Sequence, residues 1–146
     1  MSKSIVVDTS VIIKWLSQDN EQFIEQANNI LKDVQNGTSS LIAPELAKYE
    51  VGNVLIFGKH LSQAQSSIVL TQFYKLPIAY IEDSEVLSKE TVKIATDNGI
   101  TYYDAAFMAL AKQYDFPLVT DNLKHPGKAK GIRVIELKDY TIGIKF

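Results

Sequence analysis

Cysteine is absent from this chain of 146 residues, which excludes a disulfide framework and a zinc–thiolate site. The absence fits a reducing compartment, so we expect a cytoplasmic protein. Nowhere does the sequence contain the roughly 18 consecutive apolar residues that a membrane-spanning helix needs. The opening segment, MSKSIVVD, also lacks a signal-peptide pattern. We therefore expect no association with a membrane.

An excess of charge of one sign is missing as well. The chain has 15 Lys and Arg residues against 17 Asp and Glu residues, which gives a formal net charge of -2. A chain this close to neutrality has no global field that attracts nucleic acid. A polyanionic partner would have to be held by a local basic patch or through bound cations.

Short apolar segments alternate with helical patterns along the chain. Strands are predicted at residues 4–8, 39–43, 77–81, 116–120 and 132–137. Strands that alternate with helices in this way indicate a parallel sheet covered on both faces. We therefore predict a single α/β domain over residues 1–146, with three α/β/α layers and a mostly parallel central sheet of about five strands. The tail from Tyr140 to Phe146 is left open between an edge strand and a partner contact.

Two of the predicted helices bear on function. Pro44 suits the first turn of a helix that runs to about Phe57. Thr101 caps a later helix, which is apolar from Ala105 to Ala111 and is therefore predicted to be central to the core. Asp104 lies at the mouth of this second helix, where a buried carboxylate needs a partner, a capping role or a cation.

Three further acids stand out by position. Asp8 and Asp121 each directly follow a predicted strand, at the edge of a parallel sheet where functional crevices lie. Glu50 lies on or beside the apolar stripe of its predicted helix, where no capping role is available. Each of the four acids has a structural alternative: an N-cap for Asp8, a Thr-x-x-Asp cap for Asp104, a turn for Asp121 and a salt bridge for Glu50.

Bringing these acids together in one crevice has an electrostatic cost. Two carboxylates about 4 Å apart repel by roughly 4 kcal/mol at an effective dielectric near 20. A small domain has only about 5–15 kcal/mol of net stability, so such a cluster survives only if protons or cations neutralise it. With no cysteine and only 2 histidines in the chain, oxygen ligands favour hard cations such as Mg²⁺ or Mn²⁺.

Four segments in this order resemble the PIN domain family. They are a strand ending in Asp8-Thr9-Ser10, the mid-helix Glu50, the segment TYYDAAFMALAK around Asp104, and LVTDN around Asp121. The resemblance covers essentially the whole chain. Its length and order of elements are similar to those of the VapC-type toxins of type II toxin–antitoxin pairs.

The resemblance implies a Mg²⁺- or Mn²⁺-dependent endoribonuclease that cleaves RNA phosphodiester bonds with a metal-activated water. The implied catalytic and metal-holding residues are Asp8, Glu50, Asp104 and Asp121, and the implied supporting residues are Ser10, Thr120 and Asn122. A small cognate antitoxin, an RNA substrate and a second copy in a homodimer are the implied partners. The alternative is a catalytically weak or inactive PIN-like module that binds RNA or protein.

One position departs from the family's pattern. The family usually places its last acid two residues after the threonine, where this chain has Asn122, whereas Asp121 follows Thr120 directly. A neutral amide is a poorer cation ligand, so either the loop shifts by one residue or a second metal site is weak. This departure is the main support for the non-catalytic alternative.

Basic residues follow the same loop. We interpret them either as a solvated surface or as a track for the RNA backbone beside the crevice. They are Lys124, His125, Lys128, Lys130 and Arg133. Lys14 and Lys48 are further candidates for phosphate contacts, and Tyr102 or Tyr103 for stacking on single-stranded RNA.

Overall fold

A computed structural model describes residues 3–122 and 129–145 and contains, within them, a sheet of five parallel strands. The strands are β1 (Lys3–Val7), β2 (Ser39–Pro44), β3 (Ile78–Ile81), β4 (Leu118–Thr120) and β5 (Val134–Glu136). Their order across the sheet is β3-β2-β1-β4-β5, and every neighbouring pair is parallel. The predicted parallel sheet is confirmed.

Six α-helices connect these strands in the described segments. They are α1 (Thr9–Leu16), α2 (Ile24–Gln35), α3 (Leu46–Asn53), α4 (Gln63–Phe73), α5 (Glu85–Asn98) and α6 (Tyr102–Tyr114). Because parallel crossovers are right-handed and the chain reverses direction across the sheet after β3, α5 and α6 cover the face opposite α1 to α4. This is the predicted three-layer α/β/α arrangement. None of the helices in these segments is long and apolar enough to cross a membrane.

The helix predicted to begin at Pro44 begins two residues later. Pro44 is the last residue of β2, and the amide of Glu45 donates to the Ile81 carbonyl at 3.2 Å. The strand therefore includes the proline, and the amide of the residue after it supplies the hydrogen bond to β3.

The prediction of one helix to about Phe57 also needs correction. From Val54 to Gly58 the helix widens into a π-turn, in which the amide of Lys59 donates to the Val54 carbonyl at 2.8 Å. Gly58 permits this close approach, since a Cβ there would lie 3.2 Å from Val54 Cγ1. Ile56 and Phe57 consequently lie exposed on the turn.

Helix α6 lies in the core, as the sequence predicts. Its residues from Phe107 to Ala111 are all buried, and it packs along α5 and against β1, β2 and β4. The Thr101 hydroxyl accepts a hydrogen bond from the Asp104 amide at 3.1 Å. The cap therefore uses the backbone of Asp104 and leaves its carboxylate at the mouth of the helix.

The strand order creates a topological switch point between β1 and β4. From β1 the chain moves to β2 and β3 on one side, and it returns after α6 to form β4 on the other side. In such sheets a crevice opens at the carboxyl ends of the two strands that flank the switch. Asp8 directly follows β1 and Asp121 directly follows β4, so both acids reach this crevice.

The segment after β5 folds back onto α2. Tyr140 is 1% exposed, and its hydroxyl donates to Asp33 Oδ2 at 2.6 Å. The Gly143 amide donates to the same oxygen at 3.0 Å. An edge strand is therefore wrong for residues 140–145, and the partner contact at the tail stays a prediction.

We expect Tyr140→Phe to lower the free energy of unfolding by about 1–3 kcal/mol. The change removes a donor to a charged acceptor that stays buried, and such bonds are costly to lose. Urea unfolding at neutral pH measures the loss. Tyr114→Phe, at a ring that is 41% exposed, is the matched control and should be neutral. Equal stability of both variants would show that the hydrogen bond from Tyr140 to Asp33 does not stabilise the fold.

Candidate active site

A cavity of about 570 Å³ opens at the switch point. The four acids that the sequence singles out all line it, and so do Ser10 and Asn122. Asp8 follows β1, Glu50 lies on α3, Asp104 lies in the first turn of α6, and Asp121 follows β4. Four segments that are distant along the chain thus contribute one acid each to a single cavity.

Asp8 is held in place by three donors on one of its oxygens. Oδ2 accepts from the Ser10 hydroxyl at 2.6 Å, the Thr120 hydroxyl at 3.0 Å and the Ser10 amide at 3.4 Å. Asp8 is therefore an N-cap of α1, as its structural alternative predicts, and is also tied to the end of β4. Burial, with a contribution from the charge of Asp104, raises the pKa of Asp8, and the hydrogen bonds from Ser10 and Thr120 act against the shift.

Glu50 is half-buried and accepts a hydrogen bond from Thr9. The Thr9 hydroxyl lies 2.7 Å from Glu50 Oε1. Burial, followed by the charges of Asp8 and Asp104, raises the pKa of Glu50 to about 7, although the Thr9 hydrogen bond opposes the change. Near neutral pH this carboxyl is therefore divided between its protonated and ionised forms.

The salt-bridge alternative for Glu50 is not observed. Within residues 3–122 and 129–145, no Lys, Arg or His nitrogen lies within 4.0 Å of the carboxylate of Asp8, Glu50 or Asp104. The hydroxyls of Thr9, Ser10 and Thr120 orient two of these acids without neutralising them. The described part of the cavity therefore has an excess of negative charge.

Asp121 is in a different situation from the other three acids. Its Oδ2 lies 2.9 Å from Nζ of Lys14, which also contacts Glu21 Oε1 at 3.0 Å. Glu21 Oε2 in turn lies 2.6 Å from Nζ of Lys59. Hydrogen bonds to Asp121 and Glu21 raise the pKa of Lys14 even though burial alone would lower it. The interpretation of Lys14 as an exposed phosphate contact is wrong, because its side chain is only 2% exposed.

The loop after β4 is anchored through the same two hydroxyl groups that hold Asp8. The Asp121 amide donates to Ser10 Oγ at 3.0 Å, and the Asn122 amide donates to Thr120 Oγ1 at 2.9 Å. Asp121 and Asn122 both line the cavity as a result. This geometry explains how an acid directly after Thr120 can reach the crevice, although the family's last acid usually lies one residue further on.

The basic residues after this loop do not line the cavity where they are described. Lys130 is exposed beside a separate depression, which Glu90 and Lys112 border. Arg133 precedes β5 and donates to the Asp115 carbonyl at 2.6 Å. It therefore lies at the amino-terminal end of the strands, away from the crevice at their carboxyl ends. Lys124, His125 and Lys128 lie outside the described residues.

Several residues of the cavity wall were not predicted as part of this site, although Tyr103 was predicted as a candidate for stacking on RNA. Tyr49 and Tyr103 stand at its rim with 78% and 60% of their surfaces exposed. Asn53 lies one helical turn after Glu50, so the helical spacing could have identified it. Glu21 has no such signal, because it lies in an irregular segment between α1 and α2.

The acids line one cavity without forming a closed coordination sphere. No group of three or more His, Cys, Asp or Glu side chains in the described ranges is arranged so that it could hold a metal ion as it stands. Carboxylates that repel one another are expected to stay apart until a cation draws them together. The arrangement provides oxygen donors, negative charge and orienting hydroxyls, which are the requirements of a hard cation.

The comparison with protein families gives a match over most of the chain. The sequence profile of the PIN domain matches residues 5–130, whereas the comparison with curated proteins found no match. The alignment spans all four acids of the cavity, from the strand before Asp8 to the loop that contains Asp121.

Solved structures similar to this chain include VapBC2 from Rickettsia felis bound to a DNA fragment from its promoter, with a TM-score of 0.71, 14% identity and coverage of 91% of this chain and 98% of the other. DNA-bound VapBC from Salmonella typhimurium has a TM-score of 0.65 and 17% identity, over 94% and 99% of the two chains. VapC20 from Mycobacterium tuberculosis, described as a Sarcin-Ricin loop cleaving toxin, has a TM-score of 0.63 and 10% identity, over 88% and 98%. At identities this low, the structural similarity shows a common fold and no more. The profile match covers most of the chain and confirms the resemblance seen in the sequence: the chain belongs to the PIN domain family.

Proposed function

We propose that this protein is a Mg²⁺- or Mn²⁺-dependent endoribonuclease and the toxin of a toxin–antitoxin pair, acting in the cytoplasm. The observation that carries the proposal is the convergence of Asp8, Glu50 and Asp104 on one cavity in which no described basic side chain neutralises them. A purely structural role would leave the mutual repulsion of these acids unexplained. A divalent cation accounts for it.

The residues present fit such a cation. All of their donor atoms are oxygens, which suits Mg²⁺ and Mn²⁺. The pKa of Glu50, raised to about 7 by burial and by two neighbouring acids, means that a proton partly fills the neutralising role when no cation is bound. A divalent ion, when bound, would supply that neutralising charge in place of the proton.

Each residue then has a defined task. Asp8, Glu50 and Asp104 would hold the cation, which when bound lowers the pKa of a water molecule and polarises a phosphoryl oxygen. Ser10 and Thr120 fix the orientation of the Asp8 carboxylate. Asp121 and Asn122 complete the wall of the cavity next to β4.

The rim offers contacts for single-stranded RNA. Tyr49 and Tyr103 are exposed at the rim of the cavity, where a base could stack on a ring. Lys124 and Lys128 follow the loop in sequence and remain predicted phosphate contacts. Lys130 and Arg133 would contact RNA only beyond the cavity, given their positions.

A protein partner is the second part of the proposal. The similar structures from Rickettsia felis and Salmonella typhimurium are VapBC assemblies, which supports a small cognate antitoxin for this chain. A homodimer remains part of the proposal through the resemblance in sequence alone. Ile56 and Phe57, with 52% and 70% of their surfaces exposed on the π-turn, give an apolar surface next to Val54 of the cavity wall. Exposed apolar groups of this kind suit a protein contact.

We predict that the metal-free protein loses stability as the pH rises from about 4.5 to 7. The pKa of Glu50 is higher in the folded state than its ordinary value of 4.5, so ionisation opposes folding increasingly over this range and fully above it. Solvent screening reduces the cost to about 1–2 kcal/mol. Thermal melts in chelator should show this loss for the wild type and a smaller one for Glu50→Gln, in which the amide oxygen can still accept from Thr9 and Asp8, whose pKa is also raised, remains. The same dependence of melting temperature on pH in the wild type and in Glu50→Gln would contradict the inferred cost of ionising Glu50.

We predict that Asp104→Asn lowers Mn²⁺-dependent RNA cleavage at least about 100-fold while the protein melts at the same temperature or higher. The change removes a ligand and also a repelling charge. Cleavage of a labelled single-stranded RNA, with and without Mn²⁺, measures the first effect.

Asp97→Asn is the matched control for this experiment, since Asp97 is exposed and lies outside the cavity. It should cleave like the wild type. Full activity of Asp104→Asn would overturn the site assignment. A wild type that binds RNA but takes up no Mn²⁺ in calorimetry would favour the alternative of a non-catalytic binding module.

A further inference from the structure

A buried lysine lies next to the acidic cavity and takes no part in the chemistry described above. Lys14 is 2% exposed, and Nζ contacts Asp121 Oδ2 at 2.9 Å and Glu21 Oε1 at 3.0 Å. An ammonium group removed from water is strongly destabilising unless anions compensate it at hydrogen-bond distance. The two carboxylates supply that compensation, so Lys14 is held in its charged form.

The position of Lys14 on α1 directs it to Asp121. Lys14 lies one helical turn after Ser10, and residues four apart share a face of a helix. Ser10 Oγ accepts from the Asp121 amide at 3.0 Å, while Lys14 holds the side chain. Helix α1 therefore fixes both the backbone and the carboxylate of Asp121.

The ion pairs form a network that is neutral as a whole. Lys14 and Lys59 balance Glu21 and Asp121, and Lys59 is itself 9% exposed beside Glu21. Asp8, Glu50 and Asp104 have no such compensation from the described basic residues. The acids of the cavity thus divide into three that lack a described cation and two, Glu21 and Asp121, that contact lysines.

We propose that Lys14 is a positioning residue that acts as a built-in cation for Asp121, so that the cavity takes up one divalent ion, on the side of Asp8, Glu50 and Asp104. This inference rests on the proposed function, because it concerns the metal content of the same cavity. It assigns Asp121 to the lysine and not to a second ion.

The geometry at Asp121 supports a site for one divalent ion. Oδ2 of Asp121 is already occupied by an ammonium group at contact distance, which leaves a weaker set of donors for a second ion. A divalent cation near Asp121 would also be repelled by the fixed charge of Lys14. Asn122, the neighbouring residue in the loop, offers an amide in place of a carboxylate, and an amide is a poorer ligand.

Lys14→Met is the direct test, with Mn²⁺ content measured by calorimetry and by electron paramagnetic resonance. We expect one Mn²⁺ per wild-type chain and a second, weaker Mn²⁺ per chain in Lys14→Met, since the substitution releases the Asp121 carboxylate. The second ion should vanish in the double variant Lys14→Met/Asp121→Asn. Two ions in the wild type, or one ion in a folded Lys14→Met, would overturn the proposal.

Melting experiments in chelator test the ion pair without any metal. Lys14→Met should lower the Tm by at least about 5 °C, because it leaves the partly buried Asp121 without a cation and Glu21 with Lys59 alone. Adding Asp121→Asn should recover part of that loss, which a purely additive pair of changes would not do. Additive effects would show that Lys14 does not act through Asp121.

A further variant keeps the test decisive if Lys14→Met fails to fold. Asp121→Asn should lower the affinity for the single Mn²⁺ less than about threefold, against at least tenfold for Asp104→Asn. Equal losses would place Asp121 among the ligands and overturn the role of Lys14. The absence of any Mn²⁺ binding to the wild type would instead defeat the proposed function.

Discussion

The hydrogen bonds on Oδ2 of Asp8 are the contacts on which the site depends. Through Ser10 and Thr120 they join the end of β1, the start of α1 and the end of β4 at one carboxylate oxygen. The same two hydroxyls accept the amides of Asp121 and Asn122. One small cluster therefore closes the switch point of the sheet and fixes the loop that completes the cavity.

Electrostatic compensation is uneven across this cavity. Hydroxyl donors orient Asp8 and Glu50 but add no positive charge, so burial and repulsion raise the pKa values of both groups. Asp121, by contrast, forms an ion pair with Lys14. In the proposed site, an exchangeable cation would lie beside Asp8, Glu50 and Asp104, whereas the fixed charge of Lys14 lies beside Asp121.

The parallel sheet and the course of most helices could be predicted because local patterns determine them. The β-branched run before Asp8, the cap at Thr101 and the glycine at Gly99, with φ of 62° at the end of α5, are signals within a few residues of sequence. The π-turn after Asn53 lacks such a signal, since it depends on how closely Gly58 approaches Val54. The start of α3 also depended on a tertiary contact, the hydrogen bond from Glu45 to Ile81.

The candidate site divides in the same way. Acids that follow strands could be placed at the crevice from the rule for parallel sheets. The two partners of Lys14 could not be predicted, because Glu21 lies in an irregular segment and Asp121 is distant along the chain. Long-range ion pairs of this kind produce no periodic pattern in a sequence. The sequence alone therefore does not distinguish a buried lysine from an exposed one.

The order of the segments along the chain has a consequence for synthesis. Asp8 is made early, but the hydroxyl of Thr120 that holds it and the strand that flanks β1 on that side come more than 100 residues later. A growing chain on the ribosome therefore carries scattered acids, and the cavity closes only when β4 docks. If the folded protein cuts RNA as proposed, the transcript and ribosome that produce it are not exposed to a formed cavity until β4 has been made.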